Sequence, residues 1–198
     1  MIRSREIQRI FQIEDDIAFA GCGCLSDTLA LFSELRMQAQ LYRWKSKKQL
    51  DYRTVAFLLG HILYTRRLYP YYSFNLLASI DERGEGRLFR YDCVGSFEEV
   101  VAFCTGKAEH LIQPIIDEIC SKASSSSHGA TWIIDSSDSF VETDLRRIEE
   151  SAEDAVEFVR KAFRVASERD ITLGDGMNLW ILRKDAGIER RYYSLPKL

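Results

Sequence analysis

The first part of the chain carries two apolar runs on either side of a polar turn. Ile7 to Ile13 is rich in branched and aromatic residues, and the acidic turn Glu14-Asp15-Asp16 leads into a second run, Ile17 to Ala20. Branched and aromatic residues flanking a short polar turn are typical of a β-hairpin. We therefore expect two antiparallel strands here.

After the turn Gly21-Cys22-Gly23-Cys24 the apolar residues change to helical spacing. A first helix is predicted from here, with Ser26 or Asp27 as its cap. A second helix is predicted with Asp51 as its cap and Pro70 just beyond its end. The apolar stripe of the first helix comprises Leu25, Leu29, Phe32, Leu35, Ala39 and Tyr42. The two helices are expected to form an antiparallel pair.

Extended segments follow and return at the end of the chain. A meander of three strands is predicted over Tyr71 to Asp81, Arg87 to Val94 and Phe97 to Phe103. Two closing strands are predicted over Met177 to Leu182 and Ile188 to Leu195. Each strand is rich in branched and aromatic residues and is bounded by a turn with glycine or charged residues.

Between the two groups of strands the spacing is again helical. A third helix is predicted from about Ala108 to Cys120, and Pro114 within it predicts a bend or a later start. A fourth helix is predicted through Glu168. Residues 122–144 follow no period and include four consecutive serines, so a surface excursion is expected there.

The predicted order is β-β-α-α-β-β-β-α-α-β-β. Strands grouped apart from paired helices indicate an α+β layered domain in which helices cover antiparallel sheets. Neither a repeat nor a linker divides the sequence, so residues 1–198 are expected to form one domain.

Composition narrows the class of protein. Hydrophobic residues make up 46% and charged residues 29% of the chain, which is typical of a soluble globular protein. The net charge of -3 argues against a nucleic-acid binder, and the basic run Arg43 to Lys48 is interpreted as a solvated helix end. Five cysteines without a CxxC pair favour reduced thiols, as in the cytosol or nucleus.

Few residues suggest chemistry of their own. Cys22-x-Cys24 with a distant histidine is a conceivable nucleophile, but small buried thiols beside glycine turns are commoner. The stretch Gly21 to Ser26 lacks the third glycine and the lysine of a phosphate-binding loop and is interpreted as a tight strand-to-helix turn. The three histidines have no metal-ligand spacing, so no metal or cofactor is expected.

The block Ile62 to Phe97, ILYTRRLYPYYSFNLLASIDERGEGRLFRYDCVGSF, resembles the beta subunits of the eukaryotic 20S proteasome, especially the type-1 group at the sixth ring position. Two further stretches fit this family. Ser4 to Leu31 resembles its strand-turn-strand-glycine-helix passage, and Ser167 to Asp175 resembles its RDxxTGD element. The resemblance implies a four-layer α-β-β-α sandwich of the N-terminal nucleophile hydrolase type that lacks its first strands.

The resemblance also implies that the chain has no catalytic residue. Active members attack the peptide bond with an N-terminal threonine, and the family alignment starts Met1 downstream of the strands that carry it. Two supporting serines are replaced by Lys107 and Leu173, which lack a hydroxyl. Asp170 is kept, and a structural role at a helix end is favoured for it.

The implied role is assembly. The partners would be other beta subunits in a heteroheptameric ring, an alpha ring and the opposite beta ring, in the cytoplasm and nucleus. The wall of the neighbouring subunit's substrate pocket would include Asp92, Cys93 and Ser96, with Asp92 as the contacting residue. Alternatively, Asp92 caps its own turn. Cys93 departs from the family, which usually has proline there.

Three hypotheses stay open. Met1 is expected to correspond to an internal methionine of a longer protein, because loss of central strands would expose backbone groups and apolar faces. An active threonine protease whose nucleophile lies in the missing segment is the alternative to a structural subunit. A free-standing interaction protein of the same fold is the third possibility.

Overall fold

The computed structural model describes residues 7–122, 131–136, 139–144, 152–173, 175–184 and 186–195. Its strands are β1 (Ile10–Glu14), β2 (Ile17–Gly23), β3 (Ser73–Ile80), β4 (Gly86–Tyr91), β5 (Phe97–Val100), β6 (Ala102–Gly106), β7 (Thr131–Ser136), β8 (Ser139–Asp144), β9 (Gly176–Arg183) and β10 (Gly187–Ser194). Its helices are α1 (Leu25–Ser46), α2 (Tyr52–Thr65), α3 (Glu109–Lys122) and α4 (Ala152–Ser167).

The strands form two five-stranded antiparallel sheets. The first has the order β1-β2-β3-β4-β5, so its strands follow the chain. The second has the order β10-β9-β7-β8-β6. A two-residue side-chain period gives each sheet two different faces, and both faces must be covered where both are apolar.

Strand β2 shows how the layers are built. Ile17 and Phe19 point to α1 and α2, where they pack against Leu35 and Leu59. The alternate residues of β2 face the second sheet, which presents Trp180 to them. The residues between the two sheets are Ile10, Ala18, Ala20, Cys22, Leu76, Ala78, Ile80, Leu88, Trp180 and Leu182.

The outer face of the second sheet is covered by α3 and α4. Ile112 of α3 and Phe163 of α4 are fully buried against Met177, Leu179 and Ile181 of β9. The layers are therefore helix, sheet, sheet, helix. The predicted α+β four-layer sandwich is confirmed.

Several boundaries differ from the sequence predictions. The single strand expected over Phe97 to Phe103 is wrong, because Val101 separates β5 from β6 and the two strands join different sheets. Cys24 is the cap residue of α1 without a side-chain hydrogen bond. Asp27, one of the two expected caps, accepts a hydrogen bond from the backbone of Tyr72 at 2.9 Å instead. Asp51 caps α2 as predicted, accepting from the amide of Thr54 at 2.7 Å.

The surface excursion expected over 122–144 is wrong for the segments of it that the structure describes as strands. Thr131–Ser136 pairs with both β8 and β9, and Ser139–Asp144 pairs with both β7 and β6. Both strands thus lie inside the second sheet. Residues 123–130 and 137–138 lie outside the described part of the chain.

The hairpin of β3 and β4 is held by one buried carboxylate. Asp81 accepts hydrogen bonds from the amides of Arg83 and Glu85, both at 2.9 Å. It also accepts from Nε and Nη2 of Arg87 at 3.1 and 2.9 Å. Burial raises the pKa of the Asp81 carboxyl, but the bonds from Glu85, Arg87 and Arg83 outweigh it and lower that pKa below its usual value.

We predict that Asp81→Asn lowers the free energy of unfolding at pH 7 by about 2 kcal/mol, because hydrogen bonds to a charged group are lost. A lowered pKa in the folded state makes this contribution complete above the unfolded pKa, about 4, and removes it as the pH falls through the folded value. Urea unfolding of the purified chain across this range measures both effects. The control is Glu82→Gln in the same turn, whose stability should match the wild type; equal stability of Asp81→Asn would contradict the prediction.

Candidate functional site

The turn between β4 and β5 carries the three residues that the sequence nominated. Oδ1 of Asp92 accepts hydrogen bonds from the amides of Val94 and Ser96 at 2.9 and 2.8 Å. The amide of Asp92 in turn donates to the carbonyl of Ser96 at 3.0 Å. Asp92 therefore does cap its own turn, the alternative that the sequence left open. Its Oδ2 takes part in neither of these two bonds.

This turn rests directly on α2. Gly95 has a φ of 97°, which favours glycine, and a side chain there would lie 2.5 Å from the carbonyl oxygen of Gly60. At Gly60, a Cβ would lie 3.1 Å from the ring of Phe97. Two facing glycines thus let the turn and the helix approach closely, and this contact fixes where Asp92 and Ser96 point.

Asp92 and Ser96 line a cavity of about 400 Å³ at the junction of the two sheets. Cys93 is half-buried and lies outside this lining, so the structure brings together only two of the three nominated residues. The remaining lining residues come from β3, β4, β5, β6 and α3 and are Phe74, Arg90, Tyr91, Phe97, Glu98, Phe103, Thr105 and Glu109.

The far wall of this cavity, formed by Phe74, Phe103 and Glu109, is not predicted by the sequence pattern. Phe103 had been assigned to the same strand as Phe97, and nothing in the local pattern linked Phe74 or Glu109 to them. The signal that was present is the polar step Glu98-Glu99 followed by Val100-Val101, where alternation of apolar and polar residues breaks and the chain changes sheets.

Three residues that the family resemblance aligned with supporting positions of active subunits make structural contacts or face solvent. Leu173 is buried among the side chains of α3, α4 and β9, and Lys107 is exposed. Asp170 accepts from the amide and the hydroxyl of Thr172 at 2.8 and 2.7 Å. The hydroxyl bond from Thr172 is the main cause that lowers the pKa of Asp170, and the charges of Lys107 and His110 add to it against the effect of burial.

The two cysteines of the strand-to-helix turn differ in environment. Cys22 lies between the sheets with its Sγ 3.3 Å from the hydroxyl of Thr105, and burial raises the pKa of its thiol. Cys24 is half-buried and contacts the hydroxyl of Ser26 at 3.1 Å, and this bond is the main cause that lowers the pKa of its thiol. The buried member is therefore kept in the unreactive thiol form.

The part of the chain that the structure describes contains neither a cluster of metal-ligating side chains nor a helix suited to span a membrane. No three histidine, cysteine or acidic side chains there are grouped so as to hold a metal ion. None of the helices there combines the length and apolarity needed to cross a bilayer.

Two antiparallel sheets between two helical layers define the class of N-terminal nucleophile hydrolase folds. Residues 1–136 match the family model described as proteasome subunit. The chain belongs to this family.

Individual relatives are similar over nearly the whole chain. A proteasome subunit beta type-1 of Arabidopsis thaliana is 34% identical over 196 residues, which cover 99% of this chain and 82% of the relative. One from Oryza sativa subsp. japonica is 33% identical with the same coverage. A proteasome subunit beta type-6 of Saccharomyces cerevisiae is 29% identical over 99% of this chain and 78% of its own length.

We predict that Asp92→Ala opens the turn while the rest of the sheet stays folded. Loss of the bonds to two amides should speed hydrogen exchange of Val94 and Ser96 about fivefold, equivalent to about 1 kcal/mol. Exchange measured by NMR on the purified chain tests this. Ser96→Ala, which keeps the backbone amide, is the matched control. Unchanged exchange in Asp92→Ala would show that the carboxylate does not hold the turn.

Proposed function

We propose that this chain is a non-catalytic structural subunit of the 20S proteasome core, at the ring position of the beta type-1 subunits. The observation that carries the proposal is the similarity to beta type-1 subunits over 99% of the chain. Lys107 and Leu173 support the absence of catalysis, because neither offers the hydroxyl that an active subunit uses at these positions.

In this role the chain supports ubiquitin-dependent and other intracellular protein degradation in the cytoplasm and nucleus. Its partners are other beta subunits in a heteroheptameric ring, the alpha ring and the opposite beta ring. Large exposed apolar side chains suit such contacts, because contiguous apolar surface on a soluble chain commonly marks an interface. Leu68 and Tyr69 are 87% and 86% exposed, and Tyr72 nearby is 64% exposed.

The turn Asp92–Ser96 forms part of the wall of the neighbouring subunit's substrate pocket. Support for this comes from the geometry of the turn. Oδ1 of Asp92 is engaged within the turn, and both Asp92 and Ser96 border open space. Oδ2 is then the oxygen that accepts from a peptide. Cys93 acts in the wall through the backbone of the turn rather than through its half-buried side chain.

The rival function is an active threonine protease whose nucleophile lies in a segment that precedes these residues in a longer protein. It differs from the structural role in one chemical property. An active subunit reacts covalently with an electrophile directed at an N-terminal threonine, whereas a structural subunit does not.

We predict that the epitope-tagged natural protein, isolated from its own cells, runs in a complex far larger than 22.9 kDa and stays unlabelled by a threonine-directed epoxyketone. Native mass spectrometry and probe labelling of the same sample measure both properties. Labelled beta subunits in that complex are the internal control. A purely monomeric pool would contradict assembly, and labelling of the tagged subunit would favour the protease.

A second prediction concerns the pocket wall. In the assembled particle, Asp92→Asn should raise KM of one peptidase activity about threefold and leave the other activities unchanged, because one hydrogen bond to substrate is weakened. Glu82→Gln, at the other end of the same hairpin, is the control. If Asp92→Asn and wild-type particles had the same KM for every substrate, Asp92 would not contribute to the pocket wall. The proposal that the chain assembles into the particle would be unaffected.

A further inference from the structure

The cavity beside the Asp92–Ser96 turn has an unbalanced charge. Its lining includes three carboxylates, from Asp92, Glu98 and Glu109, and one guanidinium, from Arg90. Arg90 is paired with Glu98 on the neighbouring strand, so the charge of Glu98 is balanced locally. The other two carboxylates of the lining belong to different walls: Asp92 follows the end of β4, and Glu109 lies in the first turn of α3.

The charge of Glu109 extends into the protein. Burial is the main cause that raises the pKa values of the Cys22 and Cys104 thiols, and Glu109 raises both further. These two thiols belong to different sheets. Glu109 therefore lies near buried groups of both sheets as well as in the lining of the cavity.

The other walls are aromatic. Phe97 stacks on Tyr91 with ring centroids 5.1 Å apart, and Phe74, which is 37% exposed, meets Tyr72 edge to face at 5.9 Å. Arg90 already lies over the ring of Phe103 at 4.6 Å. That face is therefore occupied, whereas Phe74 and Phe97 offer apolar ring surface along which the stem of a second cation can pack.

We propose that this cavity binds a lysine or arginine side chain projecting from a neighbouring subunit. The stem packs against the aromatic walls, and the cationic head lies beside Glu109, while Asp92 adds its negative charge to the lining and keeps Oδ2 for a peptide. The volume of about 400 Å³ is within the range of binding pockets and admits one long side chain. An acidic side chain is repelled, and an apolar one removes water from two carboxylates without compensation. The preference for a cation is a property of this chain alone, whereas its source in a ring neighbour rests on the proposed function.

The cation preference is tested on the purified chain. Binding of N-acetylarginine methylamide is expected to shift the amide resonances of Ser96, Phe97 and Glu109. A higher salt concentration should weaken this binding, because salt screens the attraction between charges. The citrulline analogue, which has the same shape without the charge, should bind at least about threefold more weakly. Glu109→Gln is expected to lower affinity for the arginine probe about threefold.

Glu82→Gln is the matched control. This substitution removes one carboxylate from the turn at the opposite end of the β3–β4 hairpin. The length of β4, at about 3.3 Å per residue, places that turn roughly 20 Å from the Asp92 turn. Affinity for the arginine probe should therefore be unchanged. Equal binding of the arginine and citrulline probes, or full affinity in Glu109→Gln, would overturn the proposal. Glu109 is exposed, so its substitution does not disturb the core.

The source of the side chain is tested separately in the assembled particle. With p-benzoylphenylalanine in place of Ser96, irradiation should link the chain to a segment of another proteasome subunit that carries lysine or arginine. Links only to segments without a basic residue would overturn the assigned occupant. If the arginine probe binds the purified chain but no assembled particle is found in cells, the cavity's preference stands and the proposed function fails.

Discussion

The close contact of two sheets through small side chains is the constraint on which the rest of the structure depends. Ala18, Ala20 and Ala78 of the first sheet are fully buried opposite the larger Trp180 and Leu182 of the second. Sheets pack about 10 Å apart only when large and small residues interdigitate in this way. The alternation in β2 then sends its large residues outward, and these residues require α1 and α2 to cover them.

This packing also positions the candidate site. The Asp92 turn is held from below by the facing pair Gly60 and Gly95, while β5 leads within a few residues to the second sheet. The cavity therefore lies where a helix layer ends and both sheets meet. Its position follows from topology rather than from any local motif, because its walls come from four strands, one helix and a turn.

Much of this architecture follows from the sequence. The hairpin of β1 and β2, the α1 and α2 pair and the closing hairpin are each encoded by local periodicity and a local turn, so they were predicted. The family resemblance supplied the stacking of layers. The break at Val101 was missed because both strands are apolar and adjacent, and strand-like composition does not reveal a change of sheet. Strands β7 and β8 were missed because neighbouring serines obscured short apolar runs, whose pairing with β9 and β6 is non-local. Asp92 was found by resemblance, whereas Glu109 and Phe103 needed tertiary structure.

The link through Val101 has a mechanical consequence. One residue joins β5 to β6, so at this edge the two sheets are separated by no more than the reach of a short peptide, with about 3.8 Å between consecutive Cα atoms. At the opposite edge, β1 and β10 meet through a side-chain hydrogen bond from Arg190 to Gln12 at 2.9 Å. The two sheets are thus joined covalently at the Val101 edge and by noncovalent contacts at the β1 and β10 edge. Fluctuations in the distance between the sheets should therefore be larger at the β1 and β10 edge, and smaller at the Val101 edge, where the cavity lies.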